Sequence, residues 1–473
     1  MIDNTAYQAA LQHAFSYALQ YLGNLQNMPV AATATYPELK SRLSHPLTDQ
    51  GLAADKIIDD LIRDSKGGVL GSASGRFFGW VIGGSLPAAL AADWITSTWD
   101  QNAALYATGP AEAVIEEIVG EWLKELLGLP AGASFGLVTG SQMAHFTCLA
   151  AARHDLLAHR GWDVERKGLA GAPEIRILTT DQRHGTIDRA VRMLGLGTDN
   201  ILDLPCDAFG CLEPRVLEQA LARQPDQPTI VLLQAGDLNI GAFDPFQELI
   251  PIAHRFGAWV HVDGAFGLWV GASPSRHELL KGVNEADSWV TDGHKWLNVP
   301  YDCGYAFVAS PDAHHDSMSH RASYFAHAVE ARDQIDWNPE WSRRGRGVAT
   351  YAALRQLGRL GVADLIDRCC LFAHQLVTRI GALPGAEMVW EPRINQGLVR
   401  FLDPTPGAGE PDHDRRTEAI IEEILKTGEA FFGGTTWRGK RCMRVSVCNW
   451  QTNESDVDRT VAAVKIVLSR FSS

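Results

Sequence analysis

Between about residues 110 and 310 the chain alternates two hydrophobic rhythms. Short β-branched and aromatic runs recur at 175–178, 229–233, 259–262, 288–291 and 305–308. Stretches with apolar residues at helical spacing lie between most of them, at 187–194, 213–223 and 246–254. A longer one, 111–127, places Val114, Ile118, Trp122 and Leu126 on one face. Alternation of this kind predicts an α/β fold with a mostly parallel sheet covered by helices on both faces. Ligands in such sheets bind at the carboxyl ends of the strands.

The flanking segments follow other patterns. Residues 1–75 show helical spacing at 7–25 and 52–62, with Pro29, Pro37 and Pro46 between. They read as an N-terminal helical arm without a sheet of its own, packed on something else such as a second copy of the chain. Residues 76–345 form the large α/β domain. Its last part, 311–345, is polar and carries His314, His315, His320, His327, Arg343 and Arg344, with Arg346 just after it. It reads as an irregular loop long enough to serve as a lid or interface. Residues 346–473 alternate helix and strand as a small C-terminal α+β domain, with a surface loop at 404–414.

Composition narrows the class. Of 473 residues, 46% are hydrophobic and 21% charged, as in ordinary globular proteins. The formal charge of −14 argues against a general nucleic-acid or anionic-membrane binder. No run approaches the roughly 20 apolar residues of a membrane helix, and the first residues lack the pattern of a secretion signal. Eight scattered cysteines without a C-x-x-C pair read as reduced thiols of a cytoplasmic protein.

The candidate chemistry lies at two strand ends. Asp263 closes the run Trp259-Val260-His261-Val262, and Lys295 follows Ser288-Trp289-Val290-Thr291 in Asp292-Gly293-His294-Lys295. A lysine between apolar runs is partly desolvated, which favours its neutral, nucleophilic form. A carboxylate at one strand end and a His-Lys pair at a later one suit pyridoxal 5'-phosphate. The lysine would carry it as a Schiff base and the aspartate would keep its ring nitrogen protonated. Ala265, facing the same way as Asp263, would let the ring lie flat. His184 would stack on the opposite face, or simply cap its helix. Gly140, Ser141 and Gln142 open the helical stretch 146–153 and offer backbone N–H groups to a phosphate. His294 would add a contact to the same phosphate. Asp312, His314, His315, Asp316 and His320 lack the spacing of a metal site, and Gly71-Ser72-Ala73-Ser74-Gly75 lacks the central serine of a hydrolase elbow.

These residues resemble the pyridoxal-phosphate-dependent amino-acid decarboxylases of the aromatic amino acid, glutamate and histidine decarboxylase group. Arg76-Phe77-Phe78-Gly79-Trp80, Gly140-Ser141-Gln142, His184, Gly241-Ala242-Phe243-Asp244-Pro245, His261-Val262-Asp263, His294-Lys295-Trp296 and Arg343-Arg344 stand in the family's order. The resemblance implies the aspartate-aminotransferase-like fold (fold type I) and a homodimer with the arm swapped over its partner. It implies Lys295, His184 and Asp263 as catalytic residues, with Ser141 and Gln142 on the phosphate. It places Phe78, Trp80, Val81 and Ile82, together with Phe77, where relatives line the side-chain pocket. That surface is apolar, so an aromatic or bulky apolar amino acid is expected; core packing is the alternative. Two departures stand out. Gly236-Asp237-Leu238 replaces a Gly-Thr-Thr, removing hydroxyls near the cofactor and adding a carboxylate. Gln334 occupies the place, three before Trp337, of a tyrosine thought to protonate the α-carbon, with Tyr324 a substitute earlier in the loop. The expected reaction is decarboxylation to the amine. Oxidative formation of an aldehyde and a non-catalytic protein of the same fold are the alternatives.

Overall fold

The computed structural model describes residues 4–320 and 331–471. Its centre is a sheet of seven strands: β1 (Ser134–Val138), β2 (Arg176–Thr180), β3 (Ile201–Leu204), β4 (Thr229–Gln234), β5 (Trp259–Asp263), β6 (Ser288–Asp292) and β7 (Gly304–Val308). They lie in the order β1-β7-β6-β5-β4-β2-β3. Only β7 runs antiparallel to its neighbours, β1 and β6. The five runs of apolar residues are all strands. Two more, β1 and β3, were not legible: β1 carries Gly136 in its middle, and β3 is a partly exposed edge strand holding Asp203.

Register brings the strand ends together. Gln234 of β4 lies opposite Asp263 of β5, and Asp263 opposite Val290 of β6. Gly304 of β7 pairs with both Asp292 and Val138, so the end of β1 comes up beside the end of β6. A Cβ on Gly304 would collide with the Gly140 backbone. Glycine at 304 therefore permits the helix Ser141–Ala158 to start against Asp292.

The helix Pro110–Leu127 is rotated from the face expected. Val114 is 45% exposed, and Glu112, Glu116, Val119, Leu123 and Leu127 face inward. An ion pair reinforces the apolar row Val119, Leu123 and Leu127 in setting this orientation. Glu116 takes two bonds from the buried Arg343 guanidinium, at 2.8 and 2.9 Å. It also accepts the backbone N–H of Arg346 at 2.9 Å and of Gly347 at 3.2 Å. Arg343 in turn donates to the Leu137 carbonyl at 2.9 Å. The pair thus ties this helix to β1 and to the start of the long helix Gly347–Gly381, which breaks direction at Gly358 (φ 61).

The stretch 311–345 is not wholly irregular. Pro311–Met318 is a helix, with Ser310 as its N-cap and proline in its first turn. Its His314 is buried, bonded to Ser134 Oγ at 2.8 Å and to the Trp337 carbonyl at 3.0 Å. Gln334 is buried too, accepting from Arg332 at 2.7 Å. Tyr324 and His327 lie outside the described residues.

The C-terminal part holds a second, antiparallel sheet of β8 (Ala386–Trp390), β9 (Gln396–Phe401), β10 (Gly433–Trp437) and β11 (Lys440–Ser446), ordered β10-β11-β9-β8. The expected surface loop at 404–414 is shorter than read, because the helix Glu410–Thr427 begins inside it. At the other terminus, helices Asn4–Asn24, Tyr36–Leu43 and Ala54–Asp64 form the arm. Tyr7, Leu11 and Leu19 are 68%, 60% and 56% exposed along one side of the first. No helix among the described residues is long and apolar enough to cross a membrane. All eight cysteines are free thiols.

Candidate functional site

The ends of β4, β5 and β6 and the start of helix Ser141–Ala158 enclose a cavity of about 460 Å³. Lys295 reaches it from the turn after β6. Its Nζ lies 3.0 Å from Asp292 Oδ2, while Asp292 Oδ1 accepts the Ser141 backbone N–H at 2.6 Å. Burial raises the Asp292 carboxyl, but Lys295 and His294 outweigh it and hold it below the usual range. The lysine turn is itself clipped in place. Asn298, in the left-handed region at φ 58, accepts from Gly84 N at 2.7 Å and Trp450 N at 3.0 Å. Its amide donates to the Cys448 carbonyl at 2.8 Å. Asparagine tolerates that backbone conformation better than most residues.

Asp263 faces the same cavity. Its Oδ1 accepts the Ala265 N–H at 3.1 Å, and its Oδ2 lies 3.5 Å from His145 Nε2. Burial alone raises this carboxyl. His145 and Lys295 reverse the effect and set it well below the ordinary carboxylate range, so it is an anion at neutral pH. Ala265 lies beyond the end of β5, in the turn that the Asp263 carboxylate closes, rather than two residues along a strand. It lines the cavity nonetheless.

The other expected residues divide. Gly140, Ser141, Gln142, His184 and His294 all line the cavity. Gly140 has φ 155, and a Cβ there would meet the His294 ring at 3.0 Å. Ser141 Oγ and Gln142 Nε2 are buried without a hydrogen-bond partner, as donors held for an absent acceptor would be. His294 Nδ1 accepts from Cys303 N at 3.3 Å, so the ring proton sits on Nε2, which lies 3.7 Å from Asp292 Oδ2. Burial lowers the His294 imidazole, which makes it a neutral donor rather than a charged one. His184 caps helix Gly185–Met193 through Thr186 N at 3.3 Å, and it also lines the cavity.

Trp80, Val81 and Ile82 form part of the wall, but Phe78 does not. Phe78 N bonds to the Phe431 carbonyl at 2.8 Å, and Ser446 N to the Phe78 carbonyl at 3.1 Å. This pairing turns the Phe78 ring inward, where it stacks on Phe432 with centroids 5.4 Å apart. Phe77 stacks on Phe431 at 4.5 Å and is likewise core.

The Asp237 carboxylate, expected near the cofactor, is used elsewhere. It accepts the backbone N–H groups of Asn239, Ile240 and Ala242 at 2.8, 3.2 and 2.6 Å, closing a tight turn. Its neighbour Leu238 lines the cavity instead. Gln334 is not part of the cavity wall.

Four lining or supporting residues were not singled out from sequence. Asp292 sits inside the Asp-Gly-His-Lys run, so its place was readable. Gln234 ends β4, and its Nε2 is buried without a partner. His145 lies one turn into a helix and gives no signal alone. Arg444 comes from β11 in the second sheet and donates to the Leu238 carbonyl at 3.1 Å. Burial lowers its guanidinium to about 10, which leaves it cationic at neutral pH, with the Asp237 carboxylate opposing its charge.

The pyridoxal-dependent decarboxylase conserved domain matches residues 37–402. The chain is 23% identical over 466 residues to the aromatic-L-amino-acid decarboxylase of Bacillus atrophaeus, covering 97% of this chain and 95% of that protein. It is 26% identical over 439 residues to an acidic amino acid decarboxylase of Mus musculus, covering 89% and 78%. The Oryza sativa TDC solved with PLP and tryptamine superposes with a TM-score of 0.91 at 23% identity, over 100% of this chain and 98% of that one.

Proposed function

Because the chain belongs to the pyridoxal-dependent decarboxylase family, we propose that it removes the α-carboxyl group of an aromatic or bulky apolar L-amino acid to give the amine and CO₂. The observation that carries this reading is one cavity holding Lys295, the Asp263 anion and an apolar wall of Trp80, Val81, Ile82, Leu238 and Phe266.

The residues fit the family's cofactor, pyridoxal phosphate. Lys295 offers the amine that would hold its aldehyde carbon. Ser141 Oγ, Gln142 Nε2 and the neutral His294 N–H are donors suited to its phosphate. Asp263 is placed to keep a proton on its ring nitrogen. Ala265 and His184, both on the cavity wall, would flank a planar ring. Once bound, the cofactor supplies the electron sink for the bond that breaks at the α-carbon. The protein's own part is orientation and charge. Asp263 holds its negative charge at a buried position, where it acts more strongly than in water. Asp292 offers a seat for the Lys295 ammonium whenever the amine is free. The apolar wall excludes water from the reacting carbon.

Arg444 favours a second reading, an acidic substrate held through its side-chain carboxylate. It is weaker, because Asp237 already opposes the guanidinium charge. Arg444 is better suited to steer the α-carboxylate on entry.

The test is a panel of amino acids given to the purified holoprotein, reading CO₂, amine, ammonia and peroxide together. CO₂ and amine should appear in equal amounts with tryptophan, tyrosine or phenylalanine. Ammonia and peroxide rising with CO₂ would show the aldehyde-forming reaction instead. Turnover confined to glutamate, aspartate or cysteine sulfinate would reject the apolar substrate.

The same reading takes 1–75 as an arm, 76–345 as the cofactor-binding domain and 346–473 as a smaller domain. The exposed stripe of Tyr7, Leu11 and Leu19 supports a homodimer in which a second copy covers it. Sedimentation should give about twice the 51.7 kDa chain mass, and a monomer at micromolar concentration would refute this. The free cysteines support a cytoplasmic location.

A further inference from the structure

A line of buried polar groups runs from the back of β5 and β6 to Asp263. Trp259 Nε1 lies 2.9 Å from Ser288 Oγ, and Ser288 Oγ lies 2.8 Å from His261 Nδ1. His261 Nε2 lies 2.9 Å from His145 Nδ1, and His145 Nε2 lies 3.5 Å from Asp263 Oδ2. His145, His261 and Ser288 are fully buried. His145 Nε2 is buried and makes no hydrogen bond, and the Asp263 carboxylate lies within ion-pair distance of it.

The chemistry of the line leaves two arrangements of its protons. An indole N–H only donates, so Ser288 Oγ accepts from Trp259. If Ser288 passes its own proton to His261 Nδ1, then His261 carries its proton on Nε2 and donates to His145 Nδ1. His145 then carries its proton on Nε2, aimed at Asp263. The reverse arrangement puts the His261 proton on Nδ1 and leaves its Nε2 to accept from His145. A neutral His145 would then turn a bare lone pair toward a carboxylate, so this arrangement needs a buried imidazolium. The first arrangement has no buried cation, and both place an N–H on Asp263.

We propose that His145 is a positioning residue, whose Nε2–H orients Asp263 toward the cofactor's ring nitrogen and holds it ionised, and that Ser288 and His261 fix the tautomer that makes this possible. The proposal rests on the reading of Asp263 given above. It adds that the acid's charge is maintained from behind, through two strands and a helix. Networks of this kind couple their members, so loss of a distant one is felt at the end.

Two measurements test it. In the cofactor-free protein labelled with ¹⁵N-histidine, the His145 signals should show a protonated Nε2. Ser288→Ala should change those signals while the circular dichroism stays the same. In the second measurement, cofactor-free protein is titrated with pyridoxal phosphate. His145→Leu should weaken binding roughly ten- to a hundredfold, the worth of a hydrogen bond to a charged group. His145→Gln, which can present an amide N–H near the same place, should stay within about threefold of the parent. An unprotonated Nε2, or His145→Leu binding as tightly as the parent, overturns the proposal. Failure of the parent protein to bind pyridoxal phosphate would instead overturn the functional reading, and the tautomer result would still stand or fall alone.

Discussion

Lys295→Ala should leave the protein folded and reduce turnover on the order of a thousandfold or more, as when a covalent-catalysis residue is lost. The expectation follows from position. Lys295 is the amine of the cavity and stands at the carboxyl end of β6, between Asp292 and the wall that carries Ala265. Its loss also strips Asp292 of the cation 3.0 Å away, leaving the carboxylate with the Ser141 N–H. Some loss of stability should therefore accompany the loss of activity. Lys295→Arg separates the two effects. It keeps a positive charge beside Asp292 but cannot form the same bond, so it should melt near the parent and still be inactive. CO₂ release and thermal melting of both variants are the measurements. Near-normal CO₂ release from Lys295→Ala would remove the assignment altogether.

Glu116→Ala should destabilise the fold by about 3–5 kcal/mol, the cost of breaking a buried ion pair by removing one partner. Arg343 would keep its charge inside the protein, hydrogen-bonded only to the Leu137 and Ala103 carbonyls, with Glu340 and Glu112 as the remaining opposing charges. The start of helix Gly347–Gly381 would lose the carboxylate that accepts its first N–H groups. Replacing both partners by leucine and methionine should recover much of the loss, because the penalty lies in the unpaired charge rather than in the absence of the pair. Denaturant midpoints of the single and double variants test this. A single-variant loss below about 1 kcal/mol, the usual worth of a surface pair, would mean that water reaches Arg343.

Both expectations show where sequence reading succeeds and where it stops. Lys295 and Asp263 were legible because each is a polar residue ending a run that is otherwise apolar, and the parallel sheet gathers such ends at one edge. The helix Pro110–Leu127 was misread for the opposite reason. Apolar spacing pointed to Val114 and Trp122, yet two carboxylates face inward because an arginine more than two hundred positions later meets one of them. The family resemblance put Phe78 in the pocket, and its pairing with Phe431 and Ser446 turns it away. Arg444 and His145 carry no local pattern at all. One arrives from a different sheet, the other from one turn into an ordinary helix. The polar stretch at 311–318 was underrated although Ser310-Pro311 spells a helix start. The burial of His314 depends on Ser134, which no local signal connects to it.

Asn298 has a consequence for how the molecule comes into being. It stands three residues past Lys295 and joins Gly84 to Cys448 and Trp450. The nucleophile's turn is therefore locked by one segment 214 positions before Asn298 and another 150 positions after it. A nascent chain can finish β1 to β7 and still lack a settled amine. Capture of the cofactor in this sense waits on the docking of the segment around Cys448 and Trp450.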